Sequence, residues 1–495
     1  MRWGLIFDMS GKKDVGLFLI TKIITGIVGI FSVSLQTKFL SSEALGNFSL
    51  INGVVTALVA IMIGWIGSSA LRYYYSYEKD DIAGFHTTIF IDWIVMLLAS
   101  AAVVVLLGFI ASNLPISNYL LFTLIFLLFA STMEILEKMM RASKHNIAYC
   151  ILMLVESATN IIILLSFHKV VESGVNLLLF SRIATASLFS VSSFFILKFY
   201  KYIKPKSYSF NINKVFFKYG FPMVGIWGIG WLLSYSDRYI INHFLSASQV
   251  GLYDVAYSFS EKTMGIVVSA FGLAFFPMLI RVWKDQGKEA TVESLKQAFS
   301  SYFILSIPMC VGIGFLSYYF YGPILNPDFK EAYLVMPITC FGFFVSGMTN
   351  FLYKMWQLEE KTGKVLLVTA IAVVVNIVSN IIFIPLYGYI VAAITTSASY
   401  LVAFLITFII VKIKFGVKID LIKLLKIIFA SCLMGVYLFF IKKFAINIWF
   451  LLLIVFGGVV IYFGSLFAIG GLKGEITMIK KWIGKNKNGQ ENINQ

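Results

Sequence analysis

Charge is what this sequence has least of. Only 13% of its 495 residues are Asp, Glu, Lys or Arg, against 59% hydrophobic residues. A soluble chain of this length needs far more polar surface to meet water. Histidine and cysteine are sparse, at four each. His86, His145, His168 and His243 are scattered, without metal-ligand spacing. Cys150, Cys310, Cys340 and Cys432 lie in or beside apolar runs with no CxxC pair. They read as small hydrophobes rather than a disulfide or metal framework. The sequence has no G-x-x-x-x-G-K-[ST] loop, no H-E-x-x-H and no G-x-S-x-G elbow. Polar stretches between apolar runs reach only about 15–20 residues, too short for a catalytic domain. An ATP site of that type, a zinc hydrolase and a soluble enzyme are not expected, and no cofactor is implied.

What fills the chain instead is a succession of apolar runs of about 20 residues, the helical length that crosses a 30 Å hydrocarbon core. Fourteen such spans are expected, at 15–38, 44–71, 84–111, 117–140, 146–167, 174–199, 214–236, 249–280, 298–321, 331–354, 364–385, 388–411, 421–441 and 446–470. The fold class is an all-α polytopic membrane protein; the ten-residue alternating strands of a β-barrel are not seen. The opening "MRWGLIFDMSGKKDVG" lacks a short apolar stretch followed by a small-residue cleavage site, so the first run reads as a retained span.

The formal net charge is +16. In a soluble protein that would suggest nucleic acid, but in a membrane protein basic residues collect in cytoplasmic loops. With a cytoplasmic N-terminus, only Lys38, Lys169, Arg238, Lys330, Lys442 and Lys443 fall on the outer side. Lys22, Arg182 and Lys262 lie within spans, which leaves about 31 of the 40 basic residues inside. Both termini are then cytoplasmic, and the polar tail 473–495 reads as unstructured.

The basic linker "KFYKYIKPKSYSFNINK" separates spans six and seven. It divides the chain into 1–200 (spans one to six), a linker at 201–213, 214–414 (spans seven to twelve), 415–472 (spans thirteen and fourteen) and the tail. "FLSSEALGNF" at 39–48 and "FLSASQVGLY" at 244–253 share the pattern F-L-S-x-x-x-[LV]-G-x-[FY]. Each copy joins the first and second span of its half. An even number of spans separates them, as in a parallel repeat with its axis along the membrane normal.

Ionisable residues inside spans each cost about 2.5–3.5 kcal/mol on insertion scales, so they tend to face a bundle interior or a water-filled cavity. Span one carries Lys22, Thr25, Gly29, Ser32 and Gln36 on one helical stripe. Span eight carries Asp254, Ser258, Glu261, Lys262 and Gly265. Asp92 sits in span three, Glu156 with Asn160 in span five, and Arg182 in span six, while Asp237 and Arg238 close span seven. Small and hydroxyl residues in spans commonly serve helix packing alone. Lys22 lies about two turns in and has two readings, snorkelling to the interface or facing a cavity. Asp254 is near the outer interface and reads as wetted. Glu261 and Lys262 are about three turns deep and point about 100° apart, so each needs a partner elsewhere. Arg182 and Glu156 have a buried structural ion pair as their bland alternative.

Three segments carry a family resemblance: "TKIITGIVGIFSVSLQTKFLSSEALGNFSLINGV", "ALRYYYSYEKDD" and "SYSDRYIINHFLSASQVGLYDVAYSFSEK". Together they resemble the polysaccharide transporter branch of the multidrug/oligosaccharidyl-lipid/polysaccharide (MOP) superfamily, which includes the Wzx-type O-antigen flippases. The resemblance implies two six-helix lobes around a central cavity plus two C-terminal helices. It implies movement of undecaprenyl-diphosphate-linked oligosaccharide across a bacterial cytoplasmic membrane by alternating access. It also implies a cationic cavity, with Lys22, Lys262, Arg182, Arg72 and Arg238 as the candidate substrate contacts. Lysine offers a point charge rather than the bidentate fork of arginine. With no ATP site, a proton carried on Glu261, Glu156, Asp92 or Asp254 is the candidate coupling ion. A monomer is implied, with a glycan polymerase and a chain-length regulator as possible partners. Three alternatives stay open: a MATE-like multidrug or cation exporter with an acidic cavity, a lipid II flippase of the same superfamily, and a non-transporting scaffold.

Overall fold

The structure is a computed structural model that describes residues 9–111, 114–171 and 174–472. It is all helical apart from one isolated bridge between Tyr321 and Leu325. The order is α1 (Met9–Phe39), α2 (Ser42–Leu58), a π-helical turn (Val59–Ile63), α3 (Gly64–Tyr77), α4 (Ile82–Ile110), α5 (Leu120–Ala142), α6 (Asn146–Phe167) and α7 (Gly174–Ile196). Then follow α8 (Phe210–Phe244), α9 (Ala247–Phe320), α10 (Val335–Leu358), α11 (Thr362–Tyr387), α12 (Ile390–Phe415), α13 (Leu421–Ile441) and α14 (Ile448–Ala468). Twelve helical stretches among the described residues are long and apolar enough to cross a membrane. The expected count of fourteen differs for two reasons. Spans eight and nine are parts of α9, divided only at Gly287, where φ is +80°. Span seven lies in α8, whose 35 residues carry more polar groups than a plain apolar span.

Short polar residues start the helices, because their side chains satisfy amide N–H groups of the first turn that lack carbonyl partners. Ser41 accepts from the Ala44 amide (3.2 Å) and Ser246 from the Gln249 amide (3.3 Å). The repeated segment is thus a repeated helix start. Asp81, Ser209, Asp420 and Asn447 do the same for α4, α8, α13 and α14. Gly388 and Gly416 end α11 and α12 with positive φ, a conformation that favours glycine.

Many large apolar side chains are exposed, including Phe109, Ile413 and Trp449. In water such a surface would aggregate, whereas in lipid it is the expected exterior. Lipid tails give helices no hydrophobic reason to associate, so small residues and hydrogen bonds do that work. Many intramembrane hydroxyls donate to a carbonyl one turn back, as Thr21 does to Leu17 (2.9 Å) and Ser100 to Met96 (2.7 Å).

The helix connections cluster at two ends. At the far end, where α1 finishes, Ser42 and Ser248 share a 2.6 Å hydrogen bond, and the Thr37 hydroxyl accepts from the Asn326 amide at 3.2 Å. At the near end, Thr88 accepts from the Ser209 amide (3.2 Å) and Lys288 donates to the Lys414 carbonyl (2.7 Å). Between the ends, α1 packs on α6 and α9, α2 on α9, and α3 on α5 and α8. These helices enclose the polar interior. The tail 473–495 lies outside the described residues.

Candidate functional site

The central cavity, about 240 Å³, is walled by α1, α2, α6, α7, α8 and α9. It collects residues that the sequence spreads over more than 230 positions, from Thr25 to Lys262. Six of its wall residues ionise: Arg182, Arg238 and Lys262 against Glu156, Asp254 and Glu261. The expected cationic cavity is therefore charge-balanced. The cations arrive on α7, α8 and α9 and the carboxylates on α6 and α9, and burial without balance would be costly.

These six are not equivalent. Arg238 is tied down: its guanidinium lies 2.7 Å from Asp254 and 3.1 Å from Asp237, and it donates to the Ser234 carbonyl at 2.6 Å. It also sits over the rings of Tyr257 (4.5 Å) and Tyr235 (4.8 Å). Tyr253 donates to the other oxygen of Asp237. Two expectations change here. Arg238 and Asp237 do not close their helix but lie inside α8, buried, because α8 runs on to Phe244. Asp254 is not simply wetted, since its side chain is 24% exposed and its carboxylate is held by Arg238.

Lys262, Glu261, Arg182 and Glu156 make no ion pair within 4.0 Å among the described residues. The Glu156–Arg182 pair considered from sequence is absent by that measure. Both residues line the same wall, yet they do not meet. Lys262 passes over Gly29: a Cβ there would lie 3.1 Å from the Lys262 Cδ, closer than an ordinary contact, so the glycine gives the lysine stem its room. A polar thread runs beside it. Gln36 donates to Ser32 (3.3 Å), Ser32 to Asn160 (2.8 Å) and Asn160 to Ser181 (3.0 Å), which joins α1, α6 and α7.

Two further cavities adjoin this one. The first lies in the seam between α1 and α9. It has about the same 240 Å³ volume, and Lys22 and Lys262 are the charged residues among its described wall residues. Lys22 is exposed there, near the apolar, exposed Ile20, Ile24 and Ile27 of α1. The second, about 450 Å³, lies between the N-terminal helices and α8, and shares Asn52, Glu156, Arg182 and Tyr235 with the central cavity.

Arg72 and Asp92 stand apart from these walls. Arg72 is exposed and stacks on Tyr219, 4.3 Å from its centroid. Asp92 is buried and accepts from the Asn213 amide at 2.8 Å. No group of three or more His, Cys, Asp or Glu among the described residues is placed to hold a metal ion.

Sequence reasoning missed two clusters. Ser236, Asn376, Asn380, Thr395 and Thr396 form a buried hydrogen-bonded chain between α8, α11 and α12. Its signal was an asparagine pair one turn apart in an apolar run. Glu134, paired with Lys138, and Glu137, which accepts from Tyr149 at 2.9 Å, lie on α5. Their nearness to the predicted end of span four hid them.

Comparisons with known proteins agree with this architecture. A family model described as a polysaccharide biosynthesis protein matches residues 12–283. A probable low-salt glycan biosynthesis flippase of Haloferax volcanii is 27% identical over 174 residues, 35% of this chain and 36% of that protein. An uncharacterized membrane protein of Methanocaldococcus jannaschii is 23% identical over 41% of this chain and 40% of its own. The matched part is thus well under half the length of either relative. Among solved structures, the lipid II flippase MurJ in an inward-closed conformation superposes with a TM-score of 0.70 at 20% identity. It covers 93% of this chain and 99% of MurJ. An inward-facing multidrug resistance MATE transporter of the MOP superfamily gives 0.63 at 12% identity, over 80% and 98%. At these identities the likeness is one of fold.

Proposed function

The chain belongs to the polysaccharide biosynthesis protein family, and from that premise and the cavity we propose that it is a flippase for isoprenoid-diphosphate-linked oligosaccharide. The observation that carries this reading is Lys262, which makes no ion pair within 4.0 Å among the described residues and stands on the wall common to the central cavity and the α1–α9 seam. A diphosphate carries negative charge that hydrocarbon will not solvate. Lys262 and Lys22 offer it countercharge, with Arg182 deeper in the cavity. The isoprenoid tail stays in lipid against the apolar face of α1, while the glycan follows the charged group into the interior.

The carrier lipid is undecaprenyl diphosphate, and the membrane is the bacterial cytoplasmic membrane with the near end, rich in Lys and Arg, on the inside. Residues 1–200 and 214–414 move as two lobes by alternating access. Glu261 and Glu156, which make no ion pair within 4.0 Å among the described residues, are the candidates for a coupling proton. The protein acts as a monomer beside a glycan polymerase and a chain-length regulator. The Haloferax relative, named for glycan flipping, supports this reading.

The three glutamates of the second cavity favour one rival, a MATE-like exporter of organic cations. Proteoliposomes separate the two. Fluorescent undecaprenyl-diphosphate glycan should cross in a protein-dependent way, faster under an imposed pH gradient. Ethidium uptake without glycolipid movement would establish the exporter instead.

A further inference from the structure

The second cavity, at about 450 Å³ against about 240 Å³ for each of the other two, is left unexplained by diphosphate binding. Charge changes along the three. The α1–α9 seam carries Lys22 and Lys262 and no carboxylate among the described lining residues. The centre is balanced. The second cavity carries Glu134, Glu137 and Glu156 on its wall, with Arg182 as the one cation among the described lining residues. Lys138 pairs with Glu134 and rests 4.1 Å from the Trp227 ring centroid, and the exposed Arg141 lies 3.8 Å from Glu137, while Glu156 makes no ion pair within 4.0 Å among the described residues.

Its remaining wall is suited to a sugar. Trp227 and Tyr235 supply aromatic surface, on which the C–H faces of a pyranose pack. Carboxylates, Asn52 and Thr56 supply hydrogen-bond partners for hydroxyls. The volume of about 450 Å³ falls within the roughly 300–1,000 Å³ usual for small-molecule sites. The backbone departs from regularity at the same place. The π-helical turn Val59–Ile63 interrupts span two, with Val59 and Ala60 on the cavity wall. Single π turns inside helices concentrate at functional sites.

We propose that the second cavity is a sugar subsite that accepts neutral or amine-bearing sugars and rejects sugars bearing carboxylates. This deepens the flippase reading and rests on it. The seam lysines hold the diphosphate, Arg182 and Glu156 stand at the passage between the cavities, and the first sugars lie against Trp227 and Tyr235. A uronic acid entering there meets the Glu156 carboxylate and Glu137, whose Arg141 is 3.8 Å away and exposed, and like charge is disfavoured. An amine meets the same groups favourably.

The test is saturation-transfer NMR on the full chain in nanodiscs, with three free disaccharides: N-acetylated chitobiose, its deacetylated diamine, and digalacturonate. The two non-acidic probes should bind, and digalacturonate should bind about tenfold more weakly or not at all. Trp227→Ala should weaken the non-acidic probes about fivefold. Glu137→Gln, alone or with Glu134→Gln, should bring digalacturonate to within about threefold of chitobiose; the single variant leaves the Glu134–Lys138 pair intact if the double one does not fold. Equal binding of digalacturonate by the wild type, no binding of any probe, or indifference to Trp227→Ala overturns the proposal. Undecaprenyl diphosphate in the same nanodiscs tests the reading beneath it. Charge-selective sugar binding without diphosphate-lipid binding would sink the flippase reading and leave the sugar site standing.

Discussion

Gly46 and Gly251 hold the same position in the two F-L-S-x-x-x-[LV]-G-x-[FY] segments and lie backbone against backbone where α2 crosses α9. A Cβ on Gly46 would strike the Ala247 carbonyl and the Gly251 amide, and a Cβ on Gly251 would strike the Ser42 carbonyl and the Gly46 amide. The two halves thus meet at the far end through their repeated helix starts, braced by the Ser42–Ser248 hydrogen bond.

This contact closes the far end, and it admits no methyl group. Gly46→Ala or Gly251→Ala should prevent full closure, with an overpacking cost of about 1–3 kcal/mol. Glycolipid transport in proteoliposomes should fall at least about tenfold while the protein remains in the membrane. A Ser42→Cys/Ser248→Cys pair should cross-link under oxidant, stop transport and recover with reductant. Transport unaffected by the cross-link would remove the far-end contact from the cycle.

Lys262 is expected to bind diphosphate through charge rather than geometry. Lys262→Ala should weaken undecaprenyl diphosphate binding about tenfold or more, and Lys262→Arg should retain most of it. Binding is read by native mass spectrometry in nanodiscs. Equal loss in both variants would mean that the lysine serves packing over Gly29 instead.

Arg238 behaves oppositely. Its removal leaves the buried Asp237 and the half-buried Asp254 without their partner, at a cost of up to about 3–5 kcal/mol. Arg238→Ala should lower the thermal midpoint in detergent markedly. Adding Asp254→Asn should recover part of the loss, because one orphaned charge is then gone. A wild-type midpoint for Arg238→Ala would contradict the network drawn here.

Arg72 and Asp92 are outside the cavity walls, so Arg72→Ala and Asp92→Asn should each leave transport within about threefold of wild type. A tenfold loss in either, at normal membrane level, would require a different route for the substrate or the coupling proton.

Much of the fold was legible because lipid imposes a length on apolar runs. The predicted 421–441 is α13, and 388–411 overlaps α12 over all but its first two residues. Ser41 and Ser246 were visible as one repeated motif, and both cap helices. The site was legible in part. Lys262, Glu261, Arg182 and Glu156 stood out because charge inside a span is rare. Asn376 and Asn380 did not, since an amide costs less in an apolar run and attracts less notice. Trp227 was invisible for the opposite reason, being one of nine tryptophans in an aromatic-rich chain.

By itself the sequence determined the class of molecule, the placement of nearly every helix, and a short roster of intramembrane charges. These are local properties, set by hydropathy over one bilayer thickness and by the residues at helix ends. Only the tertiary structure decided which charges are satisfied and which remain available. Arg238 and Lys262 are both basic residues within helices that wall the same cavity. One meets Asp237 and Asp254, while the other faces open space beside Gly29. That distinction depends on what neighbouring helices present at the same depth, and such contacts are non-local by nature.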